Sequence, residues 1–387
     1  MQRSLLLAVI VGLALAACGP PAAAPAAGDP PPAGGAAAAQ PAAQAAAAPT
    51  AAQTSPPTAQ QPAAAAAARQ PLSPRVAVRY GELGQASDAG FYIALDRGYF
   101  AAEGLDVEAV PLGSGGRMVP ALGAGQIEVG GGGMSAALIN AIARDVPLKL
   151  IADKGSLRQG FGYEALVVRQ DLFDSGAVKT IVDLKGRKIA LNSTTSMDFF
   201  LLGETLEHGG LRVEDTTLEE IPFSDIITAL ANQSVDAAIA LEPIATAIVR
   251  QGIGTKLLTL DEIMPNAQVG VIMYAPHFMR DQPEAARRFA VAYLRGIRDY
   301  NRAFTTGERR DEAIQTLTKY TSIKDPLVFD AMVPPGLNPD GYVNQDGVMA
   351  AQEFWRQQNL LPATLPAETI VDNSYMDYAV AALGRSQ

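Results

Sequence analysis

The chain has 387 residues, with 30 basic against 40 acidic side chains and a formal net charge of −10 at pH 7. It contains no basic run, which argues against a nucleic-acid partner. The single cysteine, Cys18, excludes disulfides and cysteine metal clusters, and the two separate histidines, His208 and His277, do not form a zinc-ligand pattern. We therefore expect no metal and no cofactor.

The first residues predict an export signal. Arg3 gives a short positive start, and the apolar run over 5–17 is shorter than the roughly 20 residues that span a bilayer. The run ends in Leu-Ala-Ala-Cys at 15–18, which resembles a bacterial lipobox. We predict that residues 1–17 are a lipoprotein signal peptide and that Cys18 is lipidated. The alternative is an ordinary cleavage site beside an accidental cysteine.

Residues 18–74 are almost wholly Ala, Pro, Gln, Gly and Thr. Such a segment lacks the large apolar side chains that offset the entropy of ordering, so it predicts a disordered tether. A tether of this kind would hold a folded body at a distance from a membrane.

From residue 75 onward, short β-rich runs alternate with helical periodicity. In chain order, the pattern predicts strands at Arg75–Tyr80, Val107–Leu112, Ile127–Val129, Leu148–Ala152, Glu164–Arg169, Ala238–Leu241 and Val269–Tyr274. It predicts helices at Phe91–Glu103, Met197–Glu207, Gln282–Phe304, Asp311–Tyr320, Gly347–Gln358 and Tyr375–Leu383. This alternation is typical of doubly wound α/β lobes.

One stretch of the chain occurs twice. Gly-Leu-Asp-Val-Glu at 104–108 corresponds to Gly-Leu-Arg-Val-Glu at 210–214, and Ile-Glu-Val-Gly at 127–130 corresponds to Val-Asp-Ala-Ala at 235–238. The repeat predicts two similar lobes, and the crevice between lobes is where small ligands usually bind.

Candidate ligand-binding residues lie where predicted strands end and helices begin. Glycines allow close approach of backbone N–H groups, hydroxyls add donors and acceptors, and aromatic rings suit a flat ligand. The alternative for these residues is helix capping or core packing. The candidates are Ser87, Asp88, Phe91, Tyr92, Ser114, Gly115, Met134, Ser135, Asn192, Thr194, Thr195, Ser196, Phe223 and Glu242.

Two of the candidate regions have competing interpretations. Glu242 follows a strand and precedes Pro243, which suits a carboxylate that accepts from a ligand N–H, or else a solvent-exposed turn. The loop 130–133 lacks the spacing of a phosphate-binding loop. The segment 133–137 around Ser135 lacks the final glycine of a nucleophile elbow. We therefore expect no enzyme activity.

Several segments together resemble the sulfonate, nitrate and thiamine-pyrimidine binding-protein superfamily. They are Phe91–Phe100 (FYIALDRGYF), Glu103–Glu108 (EGLDVE), Ala121–Gly130 (ALGAGQIEVG), Asp183–Gly186 (DLKG), Val235–Ala238 (VDAA) and Glu242-Pro243. The resemblance covers roughly residues 75–300. It implies a type II periplasmic-binding-protein fold, with 75–163 plus 278–387 as the first lobe, 164–277 as the second, and a hinge between them.

The resemblance also implies a function. Members of the superfamily are receptors of ABC importers, so we expect an exported, lipid-anchored monomer that faces the periplasm or cell exterior, binds a small molecule and docks on a permease. Because few cations lie near the candidate loops, Arg117 and Lys154 being the nearest, we prefer a heterocycle: riboflavin first, thiamine pyrimidine next. The alternatives are a sulfonate, taurine or nitrate receptor, and a pyrimidine-precursor enzyme of the same fold, which the lack of cysteines disfavours.

Overall fold

The computed structural model describes residues 70–386. The predicted signal peptide, Cys18 and the tether as far as residue 69 lie outside the described residues. The last residues of the predicted tether do not match the prediction, because the backbone N–H of Leu72 donates to the carbonyl of Glu103 at 3.2 Å and its side chain packs against the core. No helix within 70–386 combines the length and apolarity that a bilayer crossing requires.

Ten strands occur in the described part of the chain. They are β1 (Val76–Glu82), β2 (Leu105–Pro111), β3 (Val129–Gly133), β4 (Lys149–Leu157), β5 (Glu164–Arg169), β6 (Lys188–Leu191), β7 (Thr217–Glu220), β8 (Ala237–Leu241), β9 (Gly254–Thr259) and β10 (Ala267–Tyr274).

Fifteen α-helices surround these strands in the same described residues. They are α1 (Ala89–Asp96), α2 (Tyr99–Ala102), α3 (Gly115–Gly123), α4 (Ala136–Ala143), α5 (Gln170–Asp174), α6 (Met197–His208), α7 (Ile226–Ala231), α8 (Ile244–Arg250), α9 (Pro276–Asp281), α10 (Pro283–Thr305), α11 (Arg310–Tyr320), α12 (Pro326–Ala331), α13 (Gln345–Gln357), α14 (Ala367–Ile370) and α15 (Ser374–Leu383). Short 3₁₀ turns occupy Ala86–Asp88, Ile181–Leu184, Val213–Asp215, Phe223–Asp225 and Leu260–Glu262.

The strands form two five-stranded sheets of the same topology. The first has the order β2-β1-β3-β10-β4 and the second β7-β6-β8-β5-β9. In each, the second strand in this order, β1 or β6, is parallel to both of its neighbours, and one antiparallel strand, β10 or β5, lies between the third and the last. The predicted pair of α/β lobes is confirmed. The sequence repeat therefore corresponds to a repeat of sheet topology.

The antiparallel strands carry the chain from one lobe to the other. β5 begins the second lobe, and β10 returns the chain to the first sheet. The predicted boundary after residue 277 is therefore too late, because Ala267–Tyr274 already pairs with β3 and β4. A local pattern identifies this segment as a strand but does not reveal its distant partners.

Two local predictions also differ from the structure. The single predicted helix Phe91–Glu103 is two helices, since Gly98 between α1 and α2 has a φ of +69°. The glycines at 130–133, predicted to form a loop, belong to β3 and pair with β10. Their lack of side chains suits a crowded strand, because a Cβ on Gly131 would lie 1.7 Å from the Tyr80 hydroxyl.

The C-terminal helices complete the first lobe and also reach the second. The long helix α10 packs tightly on α1, where a Cβ on Gly296 would lie 1.9 Å from the carbonyl oxygen of Gly90. Helix α13 contacts α4 in the first lobe and α6 in the second. Phe354 of α13 packs edge-on against Phe199 of α6, with ring centroids 5.3 Å apart. The two lobes therefore share an apolar contact outside the cleft.

Candidate functional site

A cavity of about 80 Å³ lies between the lobes, at the ends of the parallel strands. Nine predicted residues line it: Ser87, Ser114, Gly115, Met134, Ser135, Asn192, Thr195, Ser196 and Phe223. The tertiary structure thus brings together loops from both halves of the repeat. Contact of these residues with a ligand stays a prediction.

Three helices begin at the cavity, each with a serine as its N-cap. Ser114 precedes α3, Ser135 precedes α4 and Ser196 precedes α6. The Ser135 hydroxyl accepts from the backbone N–H of Leu138 at 3.2 Å, which satisfies one free donor of α4. Helix N-termini carry partial positive charge, so this side of the cavity favours ligand oxygens.

The lobes touch each other at the edge of the cavity. The backbone N–H of Ala136 in the first lobe donates to the carbonyl oxygen of Thr195 in the second at 2.9 Å. Ser135 and Ser196 form an isolated antiparallel bridge at the same place. The structure is therefore that of closed lobes, with the cavity sequestered between them.

Asp88 belongs to a buried ion pair and not to the cavity wall. Its carboxylate lies 3.1 Å from the Nζ of Lys154, which also donates to Ser87 at 2.9 Å, and both charged side chains are fully buried. Asp88 also accepts from the backbone N–H groups of Leu83 and Gln85. Burial lowers the pKa of Lys154, while Asp88 opposes that shift. The predicted ligand role of Asp88 is thus replaced by a structural one.

Two predicted aromatic residues are core residues. The ring of Phe91 stacks on Tyr80, with centroids 3.6 Å apart and planes 10° apart. The hydroxyl of Tyr92 donates to Glu82 at 2.6 Å. Both side chains are completely buried and neither lines the cavity. The structure places both rings inside the first lobe, Phe91 against Tyr80 of β1 and Tyr92 against Tyr320 of α11, away from the cavity lining.

Glu242 and Thr194 also lie outside the cavity lining. The Glu242 carboxylate accepts from the Nζ of Lys256 at 2.5 Å and from the hydroxyl and backbone N–H of Thr246. Thr194 donates to Glu220 through its backbone N–H and hydroxyl. The sequence predicted that the Glu242 carboxylate accepts hydrogen bonds from a ligand. In the structure this carboxylate already accepts hydrogen bonds from residues of the second lobe.

Sequence reasoning missed two acidic residues that do line the cavity. Glu164 is the first residue of β5, and Asp198 is the second residue of α6. Glu164 is fully buried and neither of its carboxylate oxygens has a hydrogen-bond partner. Asp198 is 4% exposed and accepts from the backbone N–H of Asn192 at 3.0 Å. A carboxylate at the start of an otherwise apolar strand was the signal available in the sequence.

These two carboxyls influence each other. Burial raises the pKa of Glu164 well above its ordinary value, and the charge of Asp198 raises it further. Burial raises the pKa of Asp198 to about 6, although the N–H of Asn192 opposes the shift. No lysine or arginine occurs among the described residues that line the cavity. The cavity therefore carries acidic groups without a cation of its own.

Nothing in the described part of the chain resembles a metal site, since no group of three or more His, Cys, Asp or Glu side chains comes together there. His277 contacts Glu128 at 3.3 Å, and neither residue lines the cavity. The remaining donors among the described lining residues are hydroxyls, the Asn192 amide and backbone N–H groups. The arrangement suits reversible binding of a small polar molecule.

Two α/β lobes of matching topology, closed over a cavity at their strand ends, define a type II periplasmic-binding-protein fold. Residues 85–302 match the family model described as NMT1/THI5 like, and the chain belongs to that family.

Curated relatives are 25–27% identical to this chain over the aligned residues. A putative binding protein of Brucella abortus is 27% identical over 213 residues, which cover 54% of this chain and 62% of the relative. Riboflavin-binding protein RibY of Chloroflexus aurantiacus is 26% identical, over 59% of this chain and 63% of that protein. The taurine-binding periplasmic protein of Escherichia coli is 25% identical, over 73% and 85%. The chain thus spans less than two thirds of the Brucella and Chloroflexus relatives.

Solved structures share the fold at lower identity. The nitrate-binding protein NrtA of Synechocystis PCC 6803 has a TM-score of 0.70 at 15% identity, over 80% of this chain and 89% of that one. The alkanesulfonate-binding protein SsuA of Xanthomonas axonopodis pv. citri, bound to MOPS, has a TM-score of 0.64 at 19% identity, over 78% and 99%. The desulfurization enzyme DSZB has a TM-score of 0.57 at 16% identity, over 79% and 99%. These likenesses describe the fold and not the ligand.

Proposed function

We propose that this protein is the lipid-anchored substrate-binding component of an ABC importer, and that it captures a small nitrogen heterocycle and delivers it to a permease. The main support for this proposal is the closed cavity between the lobes. Its described lining residues include acidic and hydroxyl groups but no lysine or arginine. Such a wall favours a ligand that donates N–H groups over nitrate or a simple sulfonate. Closure of the lobes captures the ligand without bond chemistry.

The size of the cavity bears on the choice of heterocycle. Ligand pockets commonly measure about 300–1,000 Å³, whereas this cavity measures about 80 Å³. A flavin would require the lobes to lie farther apart, while a single pyrimidine ring requires a smaller adjustment. The cavity therefore favours the thiamine pyrimidine over riboflavin, which reverses the order preferred from the sequence.

A specific observation favours a second candidate, a taurine-like aminosulfonate. Helices α3, α4 and α6 all begin at the cavity, and helix N-termini bind anionic oxygens without an arginine or lysine. The sulfonate of such a ligand would face the starts of α3 and α4 in the first lobe, and its ammonium would face Glu164 and Asp198 in the second. The similarity to a taurine-binding protein over most of its length agrees with this alternative.

A thermal-shift screen tests the ligand class. We would use the mature chain carrying Cys18→Ala, so that no lipid is attached, with the thiamine pyrimidine, riboflavin, taurine, methanesulfonate and nitrate. A ligand at 100 times its Kd should add about 2.7 kcal/mol to the free energy of unfolding. Stabilisation by the pyrimidine supports the proposal, and stabilisation by taurine alone selects the second candidate. Binding of nitrate or methanesulfonate alone, or turnover of a bound ligand, would contradict both.

The proposed anchor is tested separately. In the intact chain, Cys18 should take up a lipid label and retain the protein in the membrane fraction, whereas Cys18→Ala should release it to the extracytoplasmic fraction. Cys18→Ser is the matched control, since serine keeps the size and polarity of the side chain but cannot form the thioether. Membrane retention of both variants would contradict lipid anchoring. The released protein should be a monomer by light scattering.

A further inference from the structure

Within residues 70–386, the fold leaves the buried carboxylate of Glu164 without a hydrogen-bond partner. Both oxygens of Glu164 are buried and accept no hydrogen bond, although the residue lines the cavity between the lobes. Buried polar groups in native proteins are nearly always hydrogen-bonded, and an unpaired carboxylate in an apolar setting is costly. A group that is both unsatisfied and adjacent to a ligand cavity indicates that its partner comes from the ligand.

The surroundings of Glu164 restrict what that partner is. Asp198 lines the same cavity and its charge acts on Glu164, so the local field is negative. Lys154 contacts the lining residue Ser87, to which it donates, but it is already paired with Asp88. The other cavity-lining polar groups are hydroxyls, Asn192 and the starts of helices. Only a ligand donor, and preferably a positively charged one, satisfies the two carboxyls together.

The position of the two acids also sets the orientation of the ligand. Glu164 lies where the chain enters the second lobe, and Asp198 lies in the first turn of α6 in that lobe. The N-caps of α3 and α4, Ser114 and Ser135, belong to the first lobe. A ligand with nitrogen donors at one end and oxygens at the other would therefore bridge the lobes, which couples binding to closure.

We propose that Glu164 and Asp198 form an acidic subsite that binds an ammonium, amidinium or aromatic N–H group of the imported molecule. This inference rests on the proposed receptor function and deepens it, since it holds for an aminopyrimidine and for an aminosulfonate alike. An aminopyrimidine offers its exocyclic amine and a protonated ring nitrogen side by side, which matches the two oxygens of one carboxylate. Glu164 is the primary acceptor, and Asp198 adds negative charge beside it.

Matched ligand pairs test this subsite. Each pair differs only in the nitrogen donor: taurine against ethanesulfonate, and the thiamine pyrimidine against its analogue without the amino group. Calorimetry on the wild-type chain should show that the nitrogen-bearing member of at least one pair binds about 10- to 100-fold more tightly than its partner, the range for a charged hydrogen bond. Equal binding within both pairs would overturn the inference.

Substitutions test which residue causes the preference for the nitrogen-bearing ligand. Glu164→Gln and Asp198→Asn each remove one charge at nearly constant volume, and Glu207→Gln is the control, because it removes an exposed charge from the same helix as Asp198. Glu164→Gln should reduce the preference for the nitrogen-bearing ligand to about twofold or less, Asp198→Asn should reduce it partly, and Glu207→Gln should leave it unchanged. If Glu164→Gln keeps the wild-type preference for the nitrogen-bearing ligand, Glu164 is not the acceptor.

Binding of a simple organic cation tests the acidic subsite independently of the proposed receptor function. Methylammonium chloride should raise the Tm of the wild-type chain and of Glu207→Gln above that in sodium chloride of equal ionic strength, but not that of Glu164→Gln. If no vitamin or sulfonate binds and this pattern holds, the receptor assignment fails while the subsite stands. If methylammonium protects all three proteins equally, or none, the acidic subsite is wrong.

Discussion

The two sides of the cleft contain buried carboxylates in opposite circumstances. In the first lobe, Asp88 is fully buried with Lys154 3.1 Å away and with two backbone N–H donors. At the start of the second lobe, Glu164 is equally buried, yet it has no donor and has Asp198 as an acidic neighbour. Glu164 lines the cavity and Asp88 does not, and only Asp88 is neutralised by the protein itself.

The difference separates structural from functional burial of charge. A buried ion pair whose hydrogen bonds are complete holds elements together, and here it joins the 3₁₀ turn before α1 to β4. An uncompensated buried acid destabilises the ligand-free state and becomes favourable only when a partner arrives. A buried charge near the cleft therefore indicates a ligand-binding role only when no group of the protein neutralises it.

Removing the cation of the compensated site should have the largest effect on stability. Lys154→Met leaves Asp88 buried and unpaired, so the free energy of unfolding should fall by about 3–5 kcal/mol, measured by urea denaturation. Lys188→Met, at an exposed position at the start of β6, is the control and should change little. The double variant Lys154→Met with Asp88→Asn should recover part of the loss. Without such recovery, the cost arises from packing and not from an unpaired charge.

At the uncompensated site, removal of a charge should stabilise the protein. The pKa of Asp198 is raised to about 6 in the folded state, above the ordinary value of an unfolded aspartate, so the folded protein binds more protons between these two values. The contribution of Asp198 to stability should therefore fall as pH rises from about 4 to about 6 and then level off. Asp198→Asn should not show this loss. At pH 7.5 without ligand, its free energy of unfolding should exceed that of wild type by about 1–3 kcal/mol.

Denaturation curves at pH 4, 5, 6 and 7.5 measure this effect. Glu164 contributes with the same sign, because burial and Asp198 raise its pKa also, so the full loss disappears only in the double variant with Glu164→Gln. Glu207→Gln should retain the wild-type pH dependence. If Asp198→Asn is less stable than wild type at every pH, the aspartate is a structural cap and the comparison between the two sites fails.

A third carboxylate gives the smallest expected effect. Glu242 is buried and neutralised by Lys256, whose side chain is 23% exposed, and it also accepts from Thr246. Glu242→Gln should cost about 1–2 kcal/mol of stability, since one charged hydrogen bond is lost near solvent. Ligand affinity should be unchanged, because the residue does not line the cavity. A loss of affinity without a loss of stability would restore Glu242 as a ligand residue.

Much of the fold was predictable from local sequence. The strand Glu164–Arg169 and the helices from Met197, Gln282 and Tyr375 agree with the structure to within a residue or two, because apolar periodicity reports which face of an element is buried. The serines that cap α3, α4 and α6 were predictable in the same way, as small polar residues before helical periodicity. The repeated segments predicted two lobes of one topology.

The sequence by itself determined the elements, their repetition and the set of loops that meet at the strand ends. Tertiary structure alone decided the lobe to which β10 belongs and the partner of each acid. Glu164, at the start of β5, pairs with Leu241, the last residue of β8, and Glu242 follows directly, yet Lys256 of β9 reaches only Glu242. The physical reason is that periodicity is local, whereas neutralisation of a buried charge depends on which side chains the sheets bring within a few ångströms.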